Sequence, residues 1–348
     1  MSANVIRSSD QQPLLLLAPF RGITHKAYRN AFAAFFNGVD EMYAPFISGF
    51  GADHVPASKL EDIVPFSENQ APTVPQFISN APGEIIALGH VLKEQGFTHM
   101  NWNLGCPFAR IANKKRGSGL LPYPELVDRI LQEVCEEITI EMSVKTRLGY
   151  NHTQEIFPVL HALNKHPIRH VIIHPRTGKQ MYSGAAQPEG FETCMEISKH
   201  PLIYNGDIYN VSQFRKLQAR FPEQQTWMLG RGALINPFLP AAIRDYDYTD
   251  TEKRERLAAF HERLWLHARS HIQDERKALG SMKAIWYYLS GIFSGGKQVF
   301  DTIKRTKVAS AYEKAVALAM QKPFADEAEL EAYFFSMTKR GAENIKSP

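Results

Sequence analysis

Cysteine is scarce: the 348 residues hold three, Cys106, Cys135 and Cys194, odd in number and widely spaced. That argues against a disulfide scaffold and fits a reducing cytoplasm, the compartment expected here. None stands in a CxxC or CxxH pattern, so no structural zinc, and no metal of any kind, is expected. No apolar run approaches the ~18–20 residues that cross a bilayer; the longest, Leu14 to Phe20, has the length of a buried strand. The opening MSANVIRSSDQQP lacks the apolar stretch of a secretory signal, so neither export nor a membrane partner is expected. No repeat of solenoid period is evident. No GxGxxG follows an early strand, as a doubly wound dinucleotide-binding sheet would want.

What is there is an ordinary globular composition, 44% apolar and 22% charged, long enough for one large α/β domain and a smaller one. The net charge of +4 is uneven. Residues 251–348 carry 17 Lys and Arg against 12 Asp and Glu, and the rest carry 23 against 24. A near-neutral body with a basic end suits an anionic partner, although a solvated helical surface with a few extra lysines reads the same way.

Short β-rich runs alternate with amphipathic stretches. Strands are predicted at Leu14 to Phe20, Val39 to Pro45, Pro72 to Ile78, His99 to Leu104, Ile140 to Thr146, His170 to His174, Leu202 to Asn205 and Thr226 to Leu229. Helical patterns lie between them at Thr24 to Phe36 (with Thr24 as N-cap), Glu84 to Gln95, Glu125 to Glu137, Thr153 to Lys165, Phe191 to Lys199 and Val211 to Phe221. Strands alternating with helices in this way predict an α/β fold, a (β/α)8 TIM barrel. From about Asp250 the strands stop, and four helices are predicted: Glu252 to Ile272, Lys277 to Phe293, Thr302 to Met320 and Ala325 to Lys339. The first carries Leu257, Phe260, Leu264 and His267 at helical spacing, and the third Val308, Tyr312, Val316 and Met320. The expected organisation is a tail at 1–12, a barrel at 13–245 and a C-terminal helical bundle at 250–348.

Such barrels place their chemistry at the C-terminal ends of the strands. Polar, charged or glycine-rich residues fall at nearly every one: Ala18-Pro19-Phe20-Arg21-Gly22, Gln76, Asn103-Leu104-Gly105-Cys106-Pro107, Lys145 with Arg147, His174-Pro175-Arg176-Thr177-Gly178, Asn205-Gly206-Asp207 and Gly230-Arg231-Gly232. The last two suit a phosphate, because backbone N–H groups of glycine turns beside an arginine bind anions there; they also pass for ordinary turns. Lys145 would point into the barrel mouth, where a buried ammonium wants an anionic neighbour, unless it snorkels to the rim. Gln76 can both donate to and accept from a planar heterocycle. Cys135 and Cys194 sit on helical patterns and read as packing residues. Cys106 differs, because it follows a strand at the active end. The cationic stretch Arg110, Lys114, Lys115, Arg116 comes just after it. That stretch can tune the thiol's acidity, hold RNA phosphates or be a solvated loop.

These motifs, in this order, resemble the dihydrouridine synthase family of FMN-dependent tRNA-modifying enzymes. Ala18-Pro19-Phe20-Arg21-Gly22-Ile23-Thr24 is similar to the family's opening motif, and Asn103-Leu104-Gly105-Cys106-Pro107 to its GCP signature. Val144 to Gly149, His174 to Gly184, Asn205 to Ile208 and Gly230 to Leu234 follow. The resemblance implies reduction of uridine to 5,6-dihydrouridine in tRNA or other structured RNA. NADPH or NADH would reduce FMN, and Cys106 would be the acid that protonates C5. It implies an FMN lining of Pro19, Phe20, Arg21, Gln76, Lys145, His174, Asn205, Gly206, Asp207, Gly230 and Arg231. Asn103 and Arg176 would lie beside the uracil. The helical region would bind RNA, and a monomer is expected. A base in folded RNA must leave its stack to meet a flavin, which asks for a deep mouth beside a basic surface.

The chain departs from the family pattern in three places. Asn101 stands where an acidic residue is usual, two before the signature asparagine. Phe20 and Arg21 replace Met and often Glu, and the loop from Arg110 to Ser118 is more basic than usual. Three other readings stay open: an FMN barrel acting on a small molecule, of dihydroorotate or ene-reductase type; the same chemistry on ribosomal RNA; and a non-catalytic RNA-binding protein on a barrel scaffold.

Overall fold

The computed structural model describes residues 12–64, 69 and 71–344, the side chains of 338–344 excepted. Most of the expected tail at 1–12, and the last four residues of the expected bundle, lie outside the described residues. Nine strands, β1 Leu14–Leu17, β2 Glu41–Tyr43, β3 Thr73–Val74, β4 Gln76–Phe77, β5 His99–Leu104, β6 Glu141–Gly149, β7 Ile168–Thr177, β8 Leu202–Tyr204 and β9 Thr226–Leu229, run in the order β3-β2-β1-β9-β8-β7-β6-β5-β4. Every pairing is parallel.

The ends of that order, β3 and β4, are consecutive in the chain. They are the two halves of the run predicted at Pro72 to Ile78, parted by Pro75. Proline has no N–H to give a ladder, so the pairing lapses there. The first half bonds to β2 and the second to β5, while the Pro75 carbonyl still accepts from Asn101 N at 2.9 Å. One broken strand thus closes the cylinder, and the fold is the (β/α)8 barrel that the alternation predicts. β6 and β7 run past their expected ends and so carry Arg147 and Arg176 within the strands, where the register shifts between Arg147 and Gly149.

The barrel's interior is divided. One part is apolar, with Leu16, Tyr43, Val74, Ile172, Ile203 and Met228 in a buried cluster of their own. The part facing β4 to β7 is polar. Gln76, Asn101 and Ser143 stand abreast in the register of β4, β5 and β6, and all three are buried with His99 and His170. Period-two alternation then puts Asn103, Lys145, Arg147, His174 and Arg176 on the same face, nearer the C-terminal mouth.

Around the barrel lie α1 Lys26–Phe35, α2 Pro82–Glu94, α3 Ala109–Ala112, α4 Pro124–Glu137, α5 Ile156–Leu163, α6 Pro188–Ile197 and α7 Val211–Arg220. Two short helices that the sequence pattern misses follow β9: α8 Arg231–Ile235 and α9 Leu239–Ile243. The expected cap of α1 is corrected. His25 is the N-cap, and Thr24 is buried, its Oγ1 accepting from Phe20 N at 2.8 Å to close the turn after β1.

Then come α10 Asp250–His271, α11 Glu275–Leu289, α12 Gly296–Lys304, α13 Ala309–Ala319 and α14 Glu327–Asn344. α10 opens with a reciprocal capping box between Thr249 and Glu252. The single helix expected at Thr302 to Met320 is two. Thr306 Oγ1 turns back to the Ile303 carbonyl at 2.7 Å, Lys283 Nζ binds the Thr306 carbonyl, and Val308 is extended as the N-cap of α13. Val308, which the spacing places on an apolar face, is 51% exposed. Phe260 of α10 packs edge-on against Tyr28 at 5.4 Å and Phe36 at 4.9 Å, tying the helical region to α1. No helix among the described residues is long and apolar enough to cross a membrane.

Gly38, in the turn between α1 and β2, has φ +97°, and a Cβ there would stand 2.6 Å from the Pro240 carbonyl carbon. Gly38→Ala is expected to cost roughly 2–4 kcal/mol, the left-handed penalty plus an overpacked contact. Urea unfolding should show it as a lower midpoint with an unchanged slope. A cost below about 0.5 kcal/mol would mean that the turn relaxes freely.

Candidate active site at the barrel mouth

A cavity opens at the C-terminal ends of the strands. Pro19, Phe20, Lys145, His174, Asn205, Gly206, Asp207, Gly230 and Arg231 line it, together with Ala18, Tyr182, Ile208, Gly232 and Phe334. The structure thus brings together nine of the eleven residues expected at the cofactor. Arg21 is apart: it is exposed, with its guanidinium 5.5 Å from the Phe46 ring. Gln76 lies in the polar interior rather than on the lining.

One end of the cavity is built for an anion. Gly206 lets the chain after β8 pass close to its neighbours, since a Cβ there would meet Ala186 Cβ at 3.1 Å and Pro175 Cδ at 3.2 Å. Asp207, at φ 46°, takes three donors: Arg176 Nη2 at 2.6 Å, Arg231 Nη2 at 3.0 Å and the Ala186 amide at 2.7 Å. One carboxylate therefore serves two buried guanidiniums, and a positive charge is left over. Arg231 Nη1 is buried without a hydrogen-bond partner. An orphaned, charged donor is costly unless a ligand completes it. A phosphate fits that need, and the donor set here suits it.

Arg176, expected beside the uracil, is fully buried instead of lining the cavity. Its N–H groups go to His174 Nε2 at 2.8 Å, to the Gly184 carbonyl at 2.7 Å and to Asp207. Arginine cannot accept, so His174 Nε2 must, and the ring proton sits on Nδ1. Burial, with Arg147 and Arg176 nearby, holds this histidine neutral, its pKa well below the usual range. Asn205 Nδ2 is fixed by the Met228 carbonyl at 2.7 Å. Lys145 Nζ makes no hydrogen bond or ion pair among the described residues; burial, with a push from Arg147, lowers its pKa to about 7.

Cys106 sits on the loop after β5, 7% exposed and outside the cavity lining. Asn103 Oδ1 accepts from both Gly105 N (3.0 Å) and Cys106 N (2.9 Å). Its Nδ2 donates to Gln76 Oε1 at 2.7 Å, and Gln76 Nε2 to Asn101 Oδ1 at 2.8 Å. Asn101 Nδ2 in turn donates to Ser143 Oγ at 2.7 Å, which lies 2.6 Å from His99 Nε2. Gly117, at φ +57°, packs so closely that a Cβ would stand 2.7 Å from the Cys106 carbonyl oxygen. Burial raises the thiol pKa above its ordinary value, outweighing the Phe108 backbone hydrogen bond and the fields of Arg147, Arg21 and Arg110. Of the cationic stretch expected to act on it, Arg116 is held by Asn80 (2.8 Å) and Glu84 (3.4 Å), and Lys115 lies over the Tyr123 ring at 4.2 Å.

Three residues outside the expected site lining matter here. Arg147 donates to the Gly105, Thr177 and Met181 carbonyls at 3.0, 2.8 and 2.7 Å and so clamps the loops after β5 and β7 together. Tyr182 lies under the Arg231 guanidinium at 4.8 Å, and Phe334 covers it at 4.1 Å. Tyr182 belongs to the motif after β7, which could have flagged it. Phe334 comes from α14, where only an aromatic pair in an amphipathic helix is legible.

The sequence model of the dihydrouridine synthase (Dus) family matches residues 16–333. The chain is 28% identical over 228 residues to the tRNA-dihydrouridine synthase B of Pasteurella multocida (strain Pm70), covering 65% of this chain and 67% of the relative. It is 27% identical over 254 residues to a probable tRNA-dihydrouridine synthase of Aquifex aeolicus (strain VF5), covering 70% and 76%. Among solved structures, the old yellow enzyme homologue from Zymomonas mobilis superposes with a TM-score of 0.51 at 10% identity, over 69% of this chain and 94% of that one. That likeness is one of fold.

Lys145→Met should stabilise the cofactor-free protein. The folded-state pKa of about 7 lies below the lysine's ordinary value of 10.5, so the unfolded chain binds the proton more tightly. The cost of the lysine is then fully present below about pH 7 and fades as pH rises toward the unfolded value. Melting curves of both proteins from pH 6 to 10 should converge at the alkaline end; a constant gap would mean that the ammonium is solvated.

Proposed function

The chain belongs to the dihydrouridine synthase family, and we propose that it reduces uridine to 5,6-dihydrouridine in tRNA, with bound FMN, NADPH or NADH as reductant, and Cys106 as proton donor. It is a flavin-dependent oxidoreductase. The observation that carries the finer reading is the juxtaposition, at one barrel mouth, of an anion site with surplus buried charge and a protonated thiol on an adjoining loop.

When bound, FMN supplies a two-electron carrier that takes hydride from the nicotinamide and gives it to C6 of the uracil. Arg231 Nη1 and the backbone at Gly206 and Gly230 would hold its phosphate. Lys145 would stand beside the ring as the cation that an electron-rich edge requires, with His174 Nδ1–H as a neutral donor and Asn205 as an amide partner, while Gln76 would act from behind the lining by holding Asn103. Pro19, Phe20 and Asp207 complete the lining, and Arg21 stands at the rim. One such phosphate site among the described residues favours FMN over a dinucleotide flavin.

Cys106 completes the chemistry at C5. A thiol whose pKa burial raises is protonated at neutral pH, which suits an acid and not a nucleophile. The thiolate left after transfer faces Arg147, Arg21 and Arg110, whose charges lower its cost. Asn103 holds the Cys106 amide and keeps its side chain toward the uracil, and Arg176 acts from beneath by fixing His174 and Asp207.

RNA would bind the helical region, proposed as a domain at 250–348, beside the barrel at 13–245. The break between α12 and α13 gathers exposed Lys304, Arg305 and Lys307. Glu275 of α11 accepts from Ala309 N at 2.6 Å, which brings exposed Arg276 and Lys277 alongside. These five cations make no ion pair among the described residues, and they outnumber the exposed acids Asp274 and Glu275 beside them. A small-molecule substrate would not need such a surface.

Cys106→Ala should keep its flavin and its NADPH oxidation, while the single-turnover reoxidation of reduced enzyme by tRNA slows by roughly 10²–10⁴. Cys135→Ala and Cys194→Ala should match the parent. Equal reoxidation in Cys106→Ala would move the proton donor elsewhere. Replacing Lys304, Arg305 and Lys307 together with alanine should weaken tRNA binding and reduce the log–log salt slope by about 0.7–0.9 per lost phosphate contact; an unchanged slope would place the RNA on another face. Mapping dihydrouridine in tRNA and ribosomal RNA, from cells with and without the gene, tests the substrate itself.

A further inference from the structure

We propose that α14 of the helical region forms the end wall of the flavin's phosphate subsite through Phe334, and that this wall restricts the site to a mononucleotide and slows its release. The proposal rests on the FMN reading above. Phe334 is 1% exposed although it comes from the last described helix, and it lines the barrel cavity at the Arg231 end. Its ring lies 4.1 Å from the Arg231 guanidinium carbon, and Tyr182 lies 4.8 Å from the same carbon. With rings on it and Nη2 committed to Asp207, the guanidinium is left to offer the edge at Nη1, which is buried and unpartnered. The ring thus packs beside a free donor of the anion site, Arg231 Nη1, and fills the space next to it.

The wall is held from the barrel side. Tyr209 OH donates to Glu331 at 2.9 Å and Ser212 Oγ to Glu327 at 2.6 Å. Tyr209 and Ile235 form a buried cluster with Leu330, Phe334 and Met337. The Phe334 and Tyr209 rings are 4.9 Å apart. A ligand phosphate on Arg231 therefore abuts an aromatic ring fixed at its back. A flavin that continues beyond its first phosphate into a second phosphate and an adenosine meets that ring; one that ends there does not. Phe334 is thus a specificity-determining residue supplied by the helical region.

The test uses full-length protein, stripped of flavin and reconstituted. FMN dissociation is followed by the rise in flavin fluorescence, and FAD binding by its quenching, for the parent, Phe334→Ala and Phe334→Leu. The leucine variant keeps apolar packing on Tyr209, so α14 stays docked while the ring is removed. The parent should bind FMN and exclude FAD. Both variants should release FMN at least tenfold faster and admit FAD. FMN release within twofold of the parent, with FAD still excluded in both variants, overturns the proposal, as does a parent that binds FAD as tightly as FMN. A parent that binds neither flavin defeats the FMN reading itself.

Discussion

The backbone amides of Gly105 and Cys106 can only donate, and both donate to one atom, Asn103 Oδ1. That fixes which way every amide behind it faces. Asn103 must give its Nδ2 to Gln76, Gln76 its Nε2 to Asn101, and Asn101 its Nδ2 to Ser143. Ser143 Oγ keeps its own proton and lies 2.6 Å from His99 Nε2, an arrangement that suits a neutral His99. Burial agrees, pushing the His99 pKa down to about 3. An acid at position 101 could accept from Gln76 but could not donate to Ser143. The series would reverse at that point, and His99 would have to supply the proton. The asparagine found in place of the family's usual acid is therefore one member of a self-consistent neutral network, and its consequence is felt at Ser143 of the neighbouring strand and at His99, deeper in the barrel, not at the mouth.

Above that neutral layer the charge balance is one-sided. Lys145, Arg147, Arg176 and Arg231 share the mouth with one carboxylate, Asp207. Arg147 is satisfied by three carbonyls, which fix its geometry without cancelling its charge. Buried cations without anions weigh against folding, and the fold tolerates them where a ligand can supply the missing charge. One of them, Arg147, also acts on the thiol, together with Arg21 and Arg110. They oppose its burial without overcoming it, so Cys106 keeps its proton until a transfer leaves a thiolate for them to face.

The strands were legible because each is a short apolar run bounded by turn residues, and β5 and β9 fall on their expected residues. What escaped depended on partners outside the local pattern. Pro75 divides a strand without ending it, because its two halves pair with different neighbours. Thr24 looks like a cap until Phe20 N is seen to claim its hydroxyl. The helical spacing through Val308 is real, but Thr306 turns the chain back and leaves Val308 in solvent. At the site, the glycines, Lys145 and His174 announce themselves at strand ends. Arg116 looks free in the sequence, and only the fold brings Asn80 and Glu84 to it. Whether burial or nearby arginines would win at Cys106 was a balance of magnitudes that no spacing contains.

Phe334 is the extreme case, since its role exists only because α14 returns to the barrel. Its docking is specific: two carboxylates on one helical face meet two hydroxyls around α7, and the aromatic face below them closes over Arg231. Neither half is sufficient. Without α14 the Arg231 guanidinium would lose a ring from one face and lie open to water, where a charge-assisted bond to a phosphate is worth far less than in a dry site. Without Asp207 the same guanidinium would have nothing to hold its other edge. The helical region is therefore structurally part of the barrel's mouth, and the surface proposed to bind RNA is joined by a continuous set of packed helices to the arginine proposed to hold the cofactor.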